Sequence, residues 1–215
     1  MPAEIKFCGL TRAEDARAAA MCGARYAGVI FAGGPRALEP AAAAMVLDAT
    51  GGALARVGVF GTAEPSEVAR VVRAARLDVA QLHGEPTALQ IRAVRAATGA
   101  QVWAVLRVDG AADADRLDEL DGEADAVVFE TRVPGRLGGT GVAFDWDAAA
   151  RGPRPRRSKL VVAGGLTPEN VALAIAALTP HVVDVSSGVE SSPGVKDHQR
   201  LRDFADAVRS VVAAR

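Results

Sequence analysis

The sequence has almost no excess of charge. Its 25 lysines and arginines stand against 26 aspartates and glutamates, a formal net charge of -1. That balance gives no bulk attraction to nucleic acid or to an anionic membrane surface, and neither partner is expected. Long apolar runs are also missing, and none approaches the roughly 20 residues a bilayer span requires. No charged leader followed by an apolar run opens the chain, so no signal peptide is expected. Cysteine occurs twice, as Cys8 and Cys22, too few for a disulfide framework. The three histidines, His83, His181 and His198, have no ligand spacing with cysteine or with one another, and no metal site is expected. Neither a G-x-G-x-x-G phrase nor a Walker phrase is present. These absences point to a soluble, cytoplasmic protein.

Half of the residues are hydrophobic, enough for a substantial core, and 215 residues suit one larger domain spanning 1-215. Short β-branched runs alternate with alanine-rich amphipathic stretches. The runs predict strands at Ile5–Phe7, Tyr26–Phe31, Arg56–Phe60, Val79–Leu82, Val102–Leu106, Ala126–Phe129, Leu160–Ala163 and Val182–Val185. The intervening stretches predict helices at Arg12–Met21, Pro40–Thr50, Pro65–Ala75, Thr87–Thr98, Ala112–Leu120, Trp146–Ala150, Pro168–Leu178 and His198–Ala214. Parallel neighbours need crossover helices, so this alternation predicts an α/β fold, a closed (β/α)8 barrel in preference to a doubly wound open sheet. Thr11 and Glu14 have capping-box spacing, and Pro65 and Pro168 read as first-turn prolines. Gly23, Gly51-Gly52 and Gly99 read as helix stops. The basic run Arg151-Gly-Pro-Arg-Pro-Arg-Arg-Ser-Lys159 lacks the interleaved aromatics that stack bases, and reads as a solvated loop at the N-terminal rim.

A barrel gathers the loops that follow its strands on one face. Cys8 ends the first strand, and Arg36 follows the second through a Gly-Gly-Pro turn. His83 ends the fourth, and Glu130 the sixth, ahead of a loop holding Gly135, Gly138, Gly139 and Gly141. Gly164-Gly165 end the seventh and Ser186-Ser187-Gly188 the eighth. Glycine turns before helix starts let backbone N–H groups approach an anion, which predicts phosphate binding at the last two loops. Cys8, near a helix start, is a candidate base with a lowered pKa, and Glu130 a candidate acid facing it across the ring. Arg36 is a candidate carboxylate clamp. His83 is open to a structural or a catalytic reading, and Cys22 reads as packing.

Several phrases together resemble the phosphoribosylanthranilate isomerase family of tryptophan biosynthesis. They are Lys6-Phe-Cys-Gly-Leu-Thr11, Gln81-Leu-His-Gly84, Gly138-Gly-Thr-Gly-Val-Ala-Phe-Asp-Trp146, Ala163-Gly-Gly-Leu-Thr-Pro-Glu-Asn170, Asp184-Val-Ser-Ser-Gly-Val-Glu190 and Pro193-Gly-Val-Lys-Asp-His198. The resemblance implies a (β/α)8 barrel that needs no metal or organic cofactor. It implies a small sugar-phosphate substrate, N-(5-phosphoribosyl)anthranilate, and its Amadori rearrangement to 1-(2-carboxyphenylamino)-1-deoxyribulose 5-phosphate. It also implies Cys8 as general base, Glu130 as the acid that protonates the ribose ring oxygen, and Arg36 on the anthranilate carboxylate. Two departures stand out. The family usually has aspartate where this chain has Glu130, and often lysine on strand five, where this chain reads Trp103-Ala104-Val105. Two other readings stay open. One is a sugar-phosphate-binding barrel with impaired catalysis, acting as a binding or assembly subunit. The other is a histidine-pathway isomerase, which would use an aspartate pair and is disfavoured by Cys8. A monomer and a homodimer are both compatible with the sequence.

Overall fold

The computed structural model describes residues 3–108, 113–131 and 146–213. Eight parallel strands close into a barrel in sequence order. They are β1 (Glu4–Phe7), β2 (Tyr26–Ile30), β3 (Ala55–Phe60), β4 (Val79–Leu82), β5 (Gln101–Val108), β6 (Ala126–Thr131), β7 (Lys159–Val162) and β8 (Val182–Val185). Between and after them run α1 (Ala13–Met21), α2 (Pro40–Asp48), α3 (Pro65–Ala75), α4 (Ala88–Thr98), α5 (Ala114–Leu120), α6 (Trp146–Arg151), α7 (Val171–Leu178) and α8 (His198–Ala213). The predicted (β/α)8 barrel is therefore the observed fold, with boundaries that move by a few residues.

Each strand is buried on both faces, which is why the strands read as continuous apolar runs. Alternation sends one set of side chains outward against the helices, where Phe7, Val29, Phe129 and Val183 join the larger core. The other set fills the barrel: Tyr26, Val57, Val79, Trp103, Val105, Ala126, Val128, Val161 and Val182. Trp103 is the largest fully buried side chain, and its ring meets Tyr26 edge-on at 4.9 Å. So strand five spends this position on filling the barrel rather than on a charge.

Three local expectations change. Thr11 does not cap α1; Arg12 is the N-cap and makes no side-chain capping hydrogen bond, and the Thr11 hydroxyl donates instead to the carbonyl of Gly194. A capping box does occur at Thr87 and Gln90, at the start of α4. Pro65 opens α3 as predicted, but Pro168 precedes α7, which begins at Val171. The reason is Asn170, whose carboxamide accepts the Thr167 N–H at 2.8 Å and donates to the Gly165 carbonyl at 2.9 Å, closing a turn first. The helix stops are as read: Gly23, Gly51, Gly52 and Gly99 all have positive φ.

The rim loop between α6 and β7 is held by Asp121. Its carboxylate accepts the backbone N–H groups of Arg156, Arg157 and Ser158 at 2.8, 3.0 and 2.8 Å. Arg154 turns onto the C-terminus of α7, donating to the carbonyls of Ala177 and Leu178. Those carbonyls have no partner within their helix, so a cation there is favourable. A two-stranded hairpin, β9 (Glu190–Ser192) with β10 (Val195–Lys196), follows β8 and was not anticipated. Strands of three and two residues are too short to show a period.

Candidate active site

The strand ends open on one cavity of about 470 Å³. Cys8, Arg36, His83, Glu130, Gly164, Gly165, Ser186, Ser187 and Gly188 all line it, so every site residue singled out in the sequence reaches one place. The glycine-rich loop at 135–141 lies outside the described residues.

The walls follow from register. Lys6 pairs with Asp184 across β1 and β8, and Arg107 pairs with Glu130 across β5 and β6. Continuing the ladder through β7 places the small Ala163 between Glu130 and Asp184. Two carboxylates thus share one rung, flanked by Lys6 and Arg107. Glu130 is buried, and its pKa is pushed up to about 7 by that burial and then by the charge of Asp184, against Arg107 and Lys6. It is therefore about half protonated at neutral pH, where an ordinary glutamate would be ionised, as suits an acid. Its Oε2 atom lies 3.2 Å from Nε2 of His83. Burial first, then Arg107, lowers the His83 pKa to about 4, so the imidazole is neutral and the proton of this pair resides on Glu130.

Cys8 stands one rung higher, 7 % exposed. The expected fall in its pKa is not found: burial raises it, Lys6 and Lys196 oppose the rise, and Asp184 adds to it. The physical reason is burial, which outweighs the neighbouring cations, and α1 itself begins only at Ala13. Gly28 faces Cys8 from β2, and a Cβ there would lie 3.1 Å from the sulfur.

Arg36 reaches the cavity, but its fork is already engaged. Its Nε and Nη2 donate to the Glu190 carboxylate at 2.9 and 2.6 Å. Glu190 also accepts from the fully buried Lys196 ammonium at 2.7 Å, and Lys196 donates to the Ser186 carbonyl at 3.1 Å. The backbone N–H of Lys196 is in turn held by the buried Asp15 on α1. One guanidinium and one ammonium around one carboxylate leave a net positive charge at the cavity wall. Gly9, with φ +69°, makes room for the arginine, because a Cβ there would meet its Cδ at 2.7 Å.

At the far wall, Gly164 and Gly165 have φ of +88° and +66°. None of the hydrogen bonds among the described residues uses their backbone N–H groups. Gly188 is a packing requirement: a Cβ there would sit 1.9 Å from the Leu166 carbonyl oxygen, so the seventh and eighth loops touch only through glycine. The helix start expected at Pro168 is displaced to Val171 by the Asn170 turn.

Sequence reasoning passed over Lys6, Gln81, Arg107, Asp184, Glu190 and Lys196 as site residues. For Lys6 and Asp184 the signal was present, because period-2 alternation puts them on the inward face below Cys8 and Ser186. Buried polar atoms without a hydrogen bond among the described residues also collect at this cavity: Gln81 Oε1, His83 Nδ1, Glu130 Oε2, Asp184 Oδ1 and Ser186 Oγ. Unsatisfied buried groups are costly, and their clustering on one space marks it as built for a polar ligand.

Fold and site together define a class: a (β/α)8 barrel whose strand ends pair a buried protonated carboxyl with a thiol and carry glycine loops suited to an anion. The model of the family described as N-(5'phosphoribosyl)anthranilate (PRA) isomerase matches residues 5–207, and the chain belongs to that family. An N-(5'-phosphoribosyl)anthranilate isomerase of Acidithiobacillus ferrooxidans is 41% identical over 206 residues, 95% of this chain and 97% of that protein. The crystal structure of phosphoribosyl anthranilate isomerase from Thermus thermophilus superposes with a TM-score of 0.84 at 35% identity, covering 97% of this chain and 99% of that one. Another solved phosphoribosyl anthranilate isomerase holds reduced 1-(o-carboxyphenylamino)-1-deoxyribulose 5-phosphate. It aligns with a TM-score of 0.79 at 29% identity, over 97% and 99% of the two chains.

Proposed function

We propose that this chain, as a single barrel domain, catalyses the Amadori rearrangement of N-(5-phosphoribosyl)anthranilate to 1-(2-carboxyphenylamino)-1-deoxyribulose 5-phosphate. The observation that carries the reading is that Cys8 and Glu130 line one cavity with Glu130 held near a pKa of about 7. Protonated Glu130 gives its proton to the ribose ring oxygen as the C1–O bond breaks and the nitrogen lone pair forms C1=N. Cys8, as thiolate, takes the proton on C2; the C–H pair becomes C1=C2, and the C1=N pair returns to nitrogen. Loss of the enol proton and protonation at C1 then give the 2-keto sugar. The net positive charge on Arg36, Lys196 and Glu190 suits the anthranilate carboxylate, and the backbone N–H groups of Gly164 and Gly165, with the loop Ser186, Ser187 and Gly188, suit the phosphate. Two free thiols, one of them the proposed base, fit a reducing cytoplasm.

The test is a fluorescence assay. Phosphoribosylanthranilate is generated in place, purified protein is added, and substrate fluorescence is followed. Protein-dependent loss that Cys8→Ala abolishes is the expected result. Decay at the uncatalysed rate would leave only the reading of a catalytically impaired binding barrel.

A further inference from the structure

Burying a thiol works against its use as a base, because a thiolate in a low-dielectric interior needs a counter-charge. We propose that Lys6 is a positioning residue for the thiol, its buried ammonium serving as the counter-ion that lets Cys8 exist as a thiolate inside the barrel. The inference rests on the reading of Cys8 as the base.

The geometry is specific. Lys6 is fully buried on the same inward face as Cys8, one rung below. A Cβ at Gly28 would lie 3.1 Å from the Cys8 sulfur and 3.3 Å from the Lys6 Cε, so the bare glycine leaves open the point where the two side chains meet. Lysine at this depth is itself costly, and Asp184 pins it at 2.6 Å. Burial works to strip the Lys6 proton, but Asp184, then Cys8, overcome that and hold its pKa above the ordinary value. Lys6 thus remains an ammonium at any working pH. The charged groups that act on the sulfur are Lys6 on its own strand, Asp184 on β8, Lys196 on β10 and Arg36 after β2. Glu190 stands against the last two. Burial lowers the Lys196 pKa, and Glu190 and Cys8 oppose that fall; with Lys196 charged, three cations face two carboxylates, and a thiolate at Cys8 makes the cluster neutral. Of the opposing charges, Lys6 acts most strongly on the thiol. Asp184 has a divided role: it keeps Lys6 charged and in place, and its own charge works against the thiolate.

The test reads the thiol directly, independently of turnover. The full chain is treated with iodoacetamide across pH 6–10, and alkylation of Cys8 is resolved from that of Cys22 by peptide mass spectrometry. Lys6→Met, with its fold checked by circular dichroism, is expected to move the Cys8 titration upward. A midpoint higher by about one pH unit slows alkylation below it about tenfold. Wild-type pH dependence in folded Lys6→Met would overturn the proposal. Should that variant not fold, Lys6→Gln removes the charge and keeps a polar group for Asp184. Its Cys8 titration is likewise expected to move upward, and wild-type pH dependence in that variant would overturn the proposal. If the titrations move as expected while Cys8→Ala keeps full turnover, the counter-ion stands and the role of Cys8 as base falls.

Discussion

Replacing Glu130 with glutamine tests the acid by the shape of a pH profile as well as by a rate. The productive enzyme carries thiolate at Cys8 and a proton on Glu130. The structure places the Glu130 pKa at about 7 and the Cys8 pKa above its ordinary 9.0. The two are therefore in reverse order, and only a minor fraction of the free enzyme is in the productive form between them. The wild-type kcat/KM should rise to about pH 7, stay level, and fall above the Cys8 pKa. Only the lower break belongs to Glu130. Glutamine cannot titrate, so in Glu130→Gln the level region should vanish. Activity should rise with the thiolate alone through pH 7 and beyond, at a rate lowered by about 10²–10⁴. A break that stays near 6 in both proteins belongs to the substrate phosphate, whose second pKa is about 6. The fluorescence assay at sub-saturating substrate gives kcat/KM directly. A variant that keeps both the wild-type rate and the break at pH 7 would refute the assignment.

The same substitution has a stability consequence of opposite sign. A carboxyl whose folded pKa is raised from 4.5 to about 7 is fully stabilising only below its unfolded value, and that contribution is lost as pH rises through 7. At pH 8 this is roughly 3 kcal/mol. Glu130→Gln should therefore melt higher than wild type at pH 8 by about 6–12 °C, with the gap closing by pH 4. Equal melting temperatures at both pH values would count against a buried, raised carboxyl. Glu190→Gln weakens the support of Arg36 and Lys196, and is expected to raise KM by about tenfold while kcat changes less; an unchanged KM would detach Glu190 from substrate binding. Asp121→Ala removes three charged hydrogen bonds at the opposite rim. Thermal melts should show a loss of about 2–4 kcal/mol at pH 7 with turnover retained. The Asp121 pKa is lowered by these bonds against the cost of burial, so its contribution is present above the unfolded value of about 3.9 and fades as pH falls below that. A melting curve within error of wild type at pH 7 would show the rim loop holds without it.

The barrel was legible in the sequence because strands buried on both faces cannot hide their apolar runs, and eight of them alternate with helical stretches. Pro65 and Gly99 could be placed because each acts through its own backbone. Thr11 and Pro168 were misread for a common reason. In each a competing hydrogen bond won: Thr11 found a distant acceptor at Gly194, which no local pattern shows, and the Asn170 carboxamide closed a local turn on Thr167 ahead of the helix. In the site, Cys8, Glu130 and Arg36 were visible because loops at strand ends display unusual residue types. Their protonation was only half legible. Burial of Glu130 could be inferred from the apolar strand before it, and the structure agrees. The Cys8 expectation failed because it assumed a nearby helix start and left out burial. Glu190 and Lys196 come from a hairpin too short to leave a periodic trace, so the hold of Glu190 on both Arg36 and Lys196 had no sequence signature at all.

Glutamate where the family usually has aspartate then has a physical reading. On β6 the backbone position is fixed by the ladder to β5 and β7, so an added methylene must carry the carboxyl further into the cavity. There it meets a neutral His83 at 3.2 Å, deep enough that burial dominates its pKa. A shorter acid would stand closer to its own rung, where Arg107 is its register partner and a cation favours the ionised form. The longer side chain thus brings the carboxyl to His83, at a depth where burial raises its pKa. The cost of misplacing an acid by about 1 Å is real. It is offset here if the substrate ring oxygen sits on the His83 side of the cavity, because the proton is then held where it is needed and at the pH where it can be given up.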